Sequence, residues 1–264
     1  MPRLGLILHD EHALRAHRPA RAGASAGGDD DETVDPVELV VLRSTLLNPP
    51  RAAAARALAE QVRAVHPRAA LVPYVWHLVT HGERDGLREA GTRTLPGEPH
   101  RFGHLQDTPE VQSAWDVTLR CAREMGSSTV VLRTPPSFTP GTVNQARLAA
   151  FAAARAAEGI QVVWETDGLW EPAATLALAR KLDIVTLVPA FEGTGRPVEQ
   201  SYERRWLRVD GVGATERLRG ALAEGLAHAL ESKGALADTT VLFAGPRALS
   251  NLRAFARALE AVEL

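Results

Sequence analysis

The sequence has a single cysteine, Cys121, among its 264 residues. One thiol cannot form an internal disulfide, which excludes the disulfide-stabilised scaffolds of small secreted proteins. Cys121 lies in the helical pattern AWDVTLRCAREMG, where a free cysteine is more often a small buried residue than a nucleophile. We therefore expect Cys121 to be buried and assign it no catalytic role.

The chain also lacks long apolar runs and a strong net charge. No apolar run reaches the length of about 18 residues that indicates a membrane-spanning helix. The apolar part of the N-terminal MPRLGLILHDEH is too short for a signal-peptide core and is followed by acidic residues. The formal net charge of −2 gives no overall attraction to nucleic acid or to an anionic membrane. We expect a cytoplasmic protein without membrane contact and without general affinity for nucleic acid.

Short apolar runs alternate with longer helical patterns along the chain. Most of the runs are continuously apolar, which is typical of parallel strands covered on both faces. The predicted strands are 4–8, 37–42, 69–76, 128–133, 160–165, 184–189, 204–209 and 239–244. The predicted helices are 50–66, 108–126, 144–159, 171–182, 214–234 and 247–262.

This repeated alternation of strand and helix predicts an α/β protein, a single (β/α)8 TIM-type barrel formed by residues 1–264. The length is close to the roughly 250 residues that are usual for this fold. An open doubly wound sheet is the competing architecture. The count of eight strands, with a helix at the end, favours the barrel.

Two polar stretches interrupt the pattern. Residues 10–35 run from basic to acidic through a middle of Gly, Ala and Ser, and their low apolar content predicts a mobile loop after the first strand. Residues 80–107 are rich in His, Arg and Gly and follow the third strand. Long loops after barrel strands lie on the working face or form lids. Either stretch could contact a protein partner.

Polar residues occur at the carboxyl ends of most predicted strands, where barrels of this kind carry their chemistry. In chain order they are His9 and Asp10, Arg43, His77 after Trp76, Arg133, Glu165, Glu192 after Pro189, Arg208 and Asp210, and Arg247 after Gly245 and Pro246. The arginines Arg43, Arg133 and Arg208 would form a cationic cup suited to a carboxylate or a phosphate.

Glu165 directly follows the apolar residues of the fifth strand. Two roles are open to it: a counter-ion that holds an arginine, or a general base or direct ligand contact. A partner is required in either case, because burying an unpaired carboxylate is costly. Strand four is the neighbour of strand five, so we expect Arg133 to be the first partner of Glu165 and Arg208 the second.

The histidines do not form a recognisable metal motif. His77, His81, His100 and His104 could meet in the loop after the third strand, but no carboxylate completes a convincing ligand set. We predict no metal and no cofactor.

The glycines Gly211 and Gly213 follow the seventh strand, where barrels often bind phosphate through backbone N–H groups. A plain turn is the alternative. Trp76 and Trp170 lie at strand-end or loop positions, where they are either core residues or the walls of a pocket.

Three segments carry a resemblance to a known family. They are VVLRTPPSFTP at 130–140, VVWETDGLWEP at 162–172 and WLRVDGVG at 206–213. Each is similar to a strand and strand-end segment of the YecE-like TIM-barrel family, which is domain of unknown function 72. The resemblance implies a barrel and implies no defined activity.

The matching positions are Glu165, Trp170, Arg208 and Gly211. The departures are that Arg133 stands where the family usually has Gln, the segment 166–168 replaces Pro-Arg-His, and Asp210 replaces a His. If the family's site is catalytic, this chain has lost or changed that chemistry. The retained Glu165 and Arg208 are therefore the candidate catalytic residues.

Two functions remain open from the sequence. The first is the binding of a small phosphorylated or carboxylate ligand at the carboxyl rim of the barrel. Its predicted contacts are Arg133, Arg43, His9, His77, Asp210, Gly211 and Gly213. The alternative is a catalytically degenerate barrel that acts as a scaffold and binds a protein partner through 10–35 or 80–107.

Overall fold

A computed structural model of the chain describes most of the sequence. The described residues are 1–10, 14, 35–87, 90–191, 196–197, 205–211, 216–232, 234 and 238–262. Most of the stretch predicted as a mobile loop at 10–35 lies outside these ranges, and so do Glu192 and Gly213.

Eight parallel strands are present in the described residues. They are β1 Arg3–Leu8, β2 Leu39–Leu42, β3 Ala70–Pro73, β4 Thr129–Arg133, β5 Gln161–Glu165, β6 Val185–Pro189, β7 Arg205–Val209 and β8 Thr239–Ala244. Their order in the sheet is β3-β2-β1-β8-β7-β6-β5-β4. A parallel bridge between Tyr74 and Val131 joins β3 to β4. The predicted (β/α)8 barrel is confirmed, and the open doubly wound sheet is excluded because its two edges would not meet.

Helices alternate with the strands. They are α1 Ala52–Val65, α2 His77–Thr80, α3 Pro109–Met125, α4 Thr142–Ala157, α5 Pro172–Lys181, α6 Gly220–Glu231 and α7 Ala248–Val262. In α3 the Thr108 side chain accepts a hydrogen bond from the Val111 N–H, and Gly126 ends the helix in the left-handed region at φ 71°. Both ends follow from the sequence, since Thr and Gly are preferred at these caps. Within the described ranges, no helix is long and apolar enough to cross a membrane.

The start of α6 corrects one sequence prediction. A helix was expected from residue 214, but α6 begins at Gly220. The preceding segment is tied to α7 instead: Asn251 accepts a hydrogen bond from the Leu218 N–H at 2.9 Å and donates one to the Glu216 carbonyl at 3.0 Å. These bonds take backbone groups that a longer helix would have used.

The third strand is also shorter than predicted. The apolar run 69–76 forms a strand only to Pro73, and α2 begins at His77. The polar stretch that follows folds back onto α2, where backbone bonds join Gly103 to Leu78 at 2.9 Å and Leu105 to Val79 at 3.0 Å. Phe102 and Leu105 are buried there, so this part of 80–107 is packed against the barrel after β3.

The buried apolar residues form three clusters. One apolar cluster fills the barrel interior and contains Val72, Val163 and Trp206, while two further clusters pack the outer face of the sheet against the helices. Because side chains alternate between the faces of a strand, residues two positions beyond an interior residue also face the interior. Glu165 and Arg208 therefore continue the interior rows of β5 and β7 into the mouth of the barrel.

Gly5 lies where the neighbouring strands leave no room for a side chain. It pairs in register with Leu39 on one side and Leu242 on the other. A Cβ atom at Gly5 would lie 2.6 Å from the Leu39 carbonyl oxygen and 2.8 Å from Leu242 Cδ2. Gly5→Ala should therefore lower the free energy of unfolding by about 1–3 kcal/mol, the usual effect of overpacking a core.

The matched control is Gly225→Ala in α6, where an added Cβ meets nothing within 4 Å. This change should raise stability by up to about 1 kcal/mol, because alanine favours a helix more than glycine does. Urea denaturation of the two variants measures both effects. Equal effects of the same sign would contradict the packing assigned to Gly5.

Candidate functional site

Glu165 is the most buried charged group at the barrel mouth, with 4% of its surface exposed. Its Oε1 atom accepts a hydrogen bond from Arg208 Nη1, and its Oε2 atom accepts one from the Tyr74 hydroxyl at 2.9 Å. The carboxylate thus joins β3, β5 and β7 across the mouth. Each oxygen has a donor, which offsets the cost of burying the charge.

The expected first partner of Glu165, Arg133, is wrong, and the second, Arg208, is confirmed. Arg133 and Glu165 are register partners on adjacent strands. However, Arg133 Nη2 binds Asp167 Oδ2 at 3.1 Å, beyond the end of β5. Neighbouring strands are only about 4.8 Å apart, so the long arginine side chain reaches past the adjacent carboxylate. Arg208 lies two strands away, where its length fits the gap.

Tyr74 is the site residue that the sequence analysis missed. Its side chain is buried, and its backbone N–H donates to Thr45 Oγ1 at 2.8 Å, which in turn lies 2.8 Å from the Leu42 carbonyl. Burial first, and Glu165 second, raise the pKa of Tyr74 well above its ordinary value, so the hydroxyl stays protonated and donates. The signal in the sequence was its position, two residues after the interior residue Val72.

Arg208 has a second carboxylate partner. Its Nε atom binds Asp210 Oδ2 at 2.9 Å. Burial alone would lower the pKa of Arg208, but Glu165 and Asp210 outweigh that effect and raise it. The guanidinium is therefore permanently charged and fixed from two sides.

Arg43 lies next to this network and is half-buried, in the 3-10 turn Arg43–Leu46 that follows β2. Partial burial and then the Arg43 guanidinium lower the pKa of the exposed His9. The Arg43 guanidinium also lowers the pKa of Tyr74, against the larger effects of burial and Glu165. Among the residues that the structure describes, no carboxylate forms an ion pair with Arg43.

The mouth is therefore more balanced in charge than the expected cationic cup. Arg208 and Arg133 are paired with three carboxylates, which are Glu165, Asp167 and Asp210. Arg43, which forms no ion pair among the described residues, adds a third positive charge and makes the arginines and carboxylates equal in number.

The histidines of the third loop lie beside the mouth. His77 Nδ1 is 3.0 Å from the Leu46 carbonyl, to which it donates, so this buried ring has a structural contact. The pKa of His81 is lowered to about 4, chiefly because the ring is buried. Asp85 raises this pKa, whereas Arg133, His77 and His104 lower it further. His100 is exposed. In the described part of the chain, no group of three or more metal-ligating side chains is present.

The remaining candidates are placed as follows. Gly211 approaches Glu216 so closely that a Cβ would lie 2.7 Å from its Cα, so the glycine is required by packing. Trp76 and Trp170 are core residues, because both rings are buried and their Nε1 atoms donate to the carbonyls of Leu47 and Phe138. Cys121 is buried as expected.

No family model and no curated protein matches this sequence. Solved structures do match. A DUF72 family protein from Enterococcus faecalis V583 aligns with a TM-score of 0.63 and 14% identity over 98% of this chain and 96% of the other. The chain has the fold of the DUF72 proteins.

Two further structures agree on the barrel. A DUF72 family protein from Thermotoga maritima MSB8 aligns with a TM-score of 0.50 and 15% identity over 86% of each chain. A xylose isomerase domain containing protein from Salmonella typhimurium LT2 aligns with a TM-score of 0.53 and 15% identity over 99% of this chain and 97% of the other. At these identities the likeness establishes the fold, and it fits a divergent DUF72 protein.

Replacing Glu165 by Gln tests its structural role. The change keeps the shape and removes the charge that Arg208 and Tyr74 bind, so the free energy of unfolding should fall by about 1–3 kcal/mol, the range for hydrogen bonds to charged groups. The matched control is Asp167→Asn, which breaks a more exposed pair with Arg133 and should cost no more than about 1 kcal/mol. Unchanged or increased stability of the Glu165 variant would instead indicate a strained catalytic group.

The ionisation of Tyr74 gives a second test. The chain has 2 tyrosines. The ordinary pKa of tyrosine is 10.0, and that of Tyr74 is raised. In an absorbance titration, Tyr74 should remain protonated above pH 10 until the protein unfolds. Since the unfolded state ionises first, stability should fall as the pH rises above about 10.

Tyr74→Phe should remove the delayed ionisation and flatten that alkaline loss of stability. If both tyrosines ionise near pH 10 in the folded protein, the buried hydrogen bond to Glu165 is wrong.

Proposed function

We propose that the chain is a divergent DUF72-type barrel that binds a small carboxylate-bearing molecule at the carboxyl mouth of the barrel. The observation that carries the proposal is Arg43, a half-buried guanidinium that has no carboxylate partner among the described residues. A planar guanidinium fork matches the two oxygens of a carboxylate.

The charge balance of the mouth favours a singly charged ligand. The three arginines there are equal in number to the three carboxylates, so the mouth has no net charge without a ligand. A ligand carboxylate would bind the local positive charge of Arg43, which forms no ion pair among the described residues, and would lie near Asp210 and Asp167. A dianion would meet more repulsion than attraction at that position. His9 is exposed, and Arg43 lowers its pKa, so His9 is included in the proposal as a contact of the same ligand.

Glu165 supports this site as a positioning residue. Both of its oxygens already accept hydrogen bonds, from Arg208 and Tyr74. It holds Arg208 in place and keeps the mouth pre-organised, which reduces the free-energy cost of ordering side chains when a ligand binds. No reaction step is assigned to it.

The scaffold alternative has less support. Its binding surface at 80–107 is partly a packed wall with Phe102 and Leu105 buried. Its other surface, at 10–35, lies largely outside the described residues and stays a prediction.

Replacing Arg43 by Gln tests the proposal. Isothermal calorimetry with a panel of mono- and dicarboxylates should detect a ligand for the wild type. Arg43→Gln should weaken that ligand at least tenfold, because a hydrogen bond to a charged group contributes about 1.5–3 kcal/mol.

The matched control is Arg257→Gln on the exposed face of α7, which should bind as the wild type does. Absence of binding by every carboxylate at millimolar concentration would overturn the proposal, and so would an Arg43 variant with unchanged affinity.

A further inference from the structure

A second group of arginines lies outside the mouth, between the start of α1, the segment 92–95 and α3. Arg51, Arg93 and Arg120 line a cavity of about 340 Å³, together with Pro50, Val117 and Cys121. The three side chains come from three separate parts of the chain, which the fold brings to one place.

Arg93 is anchored at the centre of this group. Its Nη1 atom donates to the Pro49 carbonyl at 2.9 Å, and its guanidinium lies 5.5 Å from the centre of the Trp76 ring. Its backbone N–H donates to Asn48 Oδ1 at 3.3 Å. The Pro49 carbonyl, the Asn48 side chain and the Trp76 ring thus hold Arg93 at the cavity.

The arginines of the cavity have no acidic ion-pair partner in the described part of the chain. Over the described ranges, no carboxylate forms an ion pair with Arg51, Arg93 or Arg120. The nearest acids on α3 have other contacts: Glu124 binds Arg56 at 2.6 Å, and Asp116 accepts from Gln112 at 3.0 Å.

The pKa values agree with this excess of positive charge. Burial first, and then Arg51 and Arg120, lower the pKa of Arg93. Burial raises the pKa of the Cys121 thiol to about 12, so it is neutral at pH 7 and supplies no counter-charge. Three like charges thus line one cavity, with Arg93 half-buried and Arg51 and Arg120 exposed.

The shape of the cavity indicates more than a bare ion. Its volume lies at the lower end of the roughly 300–1,000 Å³ that small-molecule sites occupy. A more open groove of about 670 Å³ shares Arg51 and Arg93 and continues along Asn48, Thr92 and Thr94. Asn48 Oδ1 binds the Thr92 N–H at 2.7 Å, which fixes the two walls of the groove to each other.

We propose that this cavity binds the phosphate group of a small phosphorylated molecule between Arg51, Arg93 and Arg120, with the polar remainder of the molecule along Thr92 and Thr94. Three guanidinium groups from different directions suit a tetrahedral dianion better than a planar carboxylate. The site is separate from the proposed carboxylate site at the mouth.

Calorimetry with glycerol 3-phosphate, glucose 6-phosphate and inorganic phosphate tests the proposal. A phosphate monoester should bind the wild type, and Arg120→Gln should weaken it at least tenfold. The matched control Arg123→Gln alters an exposed arginine on the same helix outside the cavity and should leave the affinity unchanged. Circular dichroism of each variant verifies folding.

Two comparisons separate the possible results. Arg43→Gln should keep phosphate-ester binding while it loses carboxylate binding, so the two sites can fail independently. Inorganic phosphate should bind more weakly than the better ester, because it makes no contact with Thr92 and Thr94. Equal affinities for inorganic phosphate and for the better ester would overturn the proposed contacts with Thr92 and Thr94. Failure of all phosphates to bind, or an unchanged affinity in Arg120→Gln, would overturn the site itself.

Discussion

The buried carboxylate of Glu165 sets the arrangement of the barrel mouth. A charge with 4% of its residue surface exposed needs donors on both oxygens, and Tyr74 and Arg208 supply them from strands on either side. This requirement also fixes the ionisation states of the two donors. Tyr74 stays protonated, and Arg208 stays charged and points inward to Glu165. Arg43 forms no ion pair among the described residues.

Much of this fold can be predicted from the sequence, because the strands are continuously apolar, the helices have apolar residues at helical spacing, and α3 has clear caps at both ends. The rows of interior residues also place Glu165 and Arg208 at the mouth. The choice of partner could not be predicted, because Arg133 is nearer to Glu165 along the sheet but too long for that distance. Tyr74 was missed for a related reason, since an apolar run conceals which of its members carries a polar group to the site.

The two cationic regions differ in how their charge is balanced. At the mouth, carboxylates accompany the arginines at the ends of β4 and β7, and with Arg43 the three arginines are matched in number by three carboxylates. Between α1 and α3, three arginines converge without such partners in the described part of the chain. Arg51, Arg93 and Arg120 do not lie at strand ends, so their positions in the sequence do not indicate an anion site. Loop and helix residues can be brought together only by the fold.

Glu165 and Arg208 stabilise the mouth as a coupled pair. A double-mutant cycle with Glu165→Gln and Arg208→Gln, followed by urea denaturation, measures this most directly. Removing one partner leaves the other charge buried, so we expect each single change to be costly and the pair to be non-additive by more than about 1 kcal/mol. The same cycle on the more exposed Arg133–Asp167 pair should give less than about 1 kcal/mol. Additive effects of Glu165→Gln and Arg208→Gln would contradict the account.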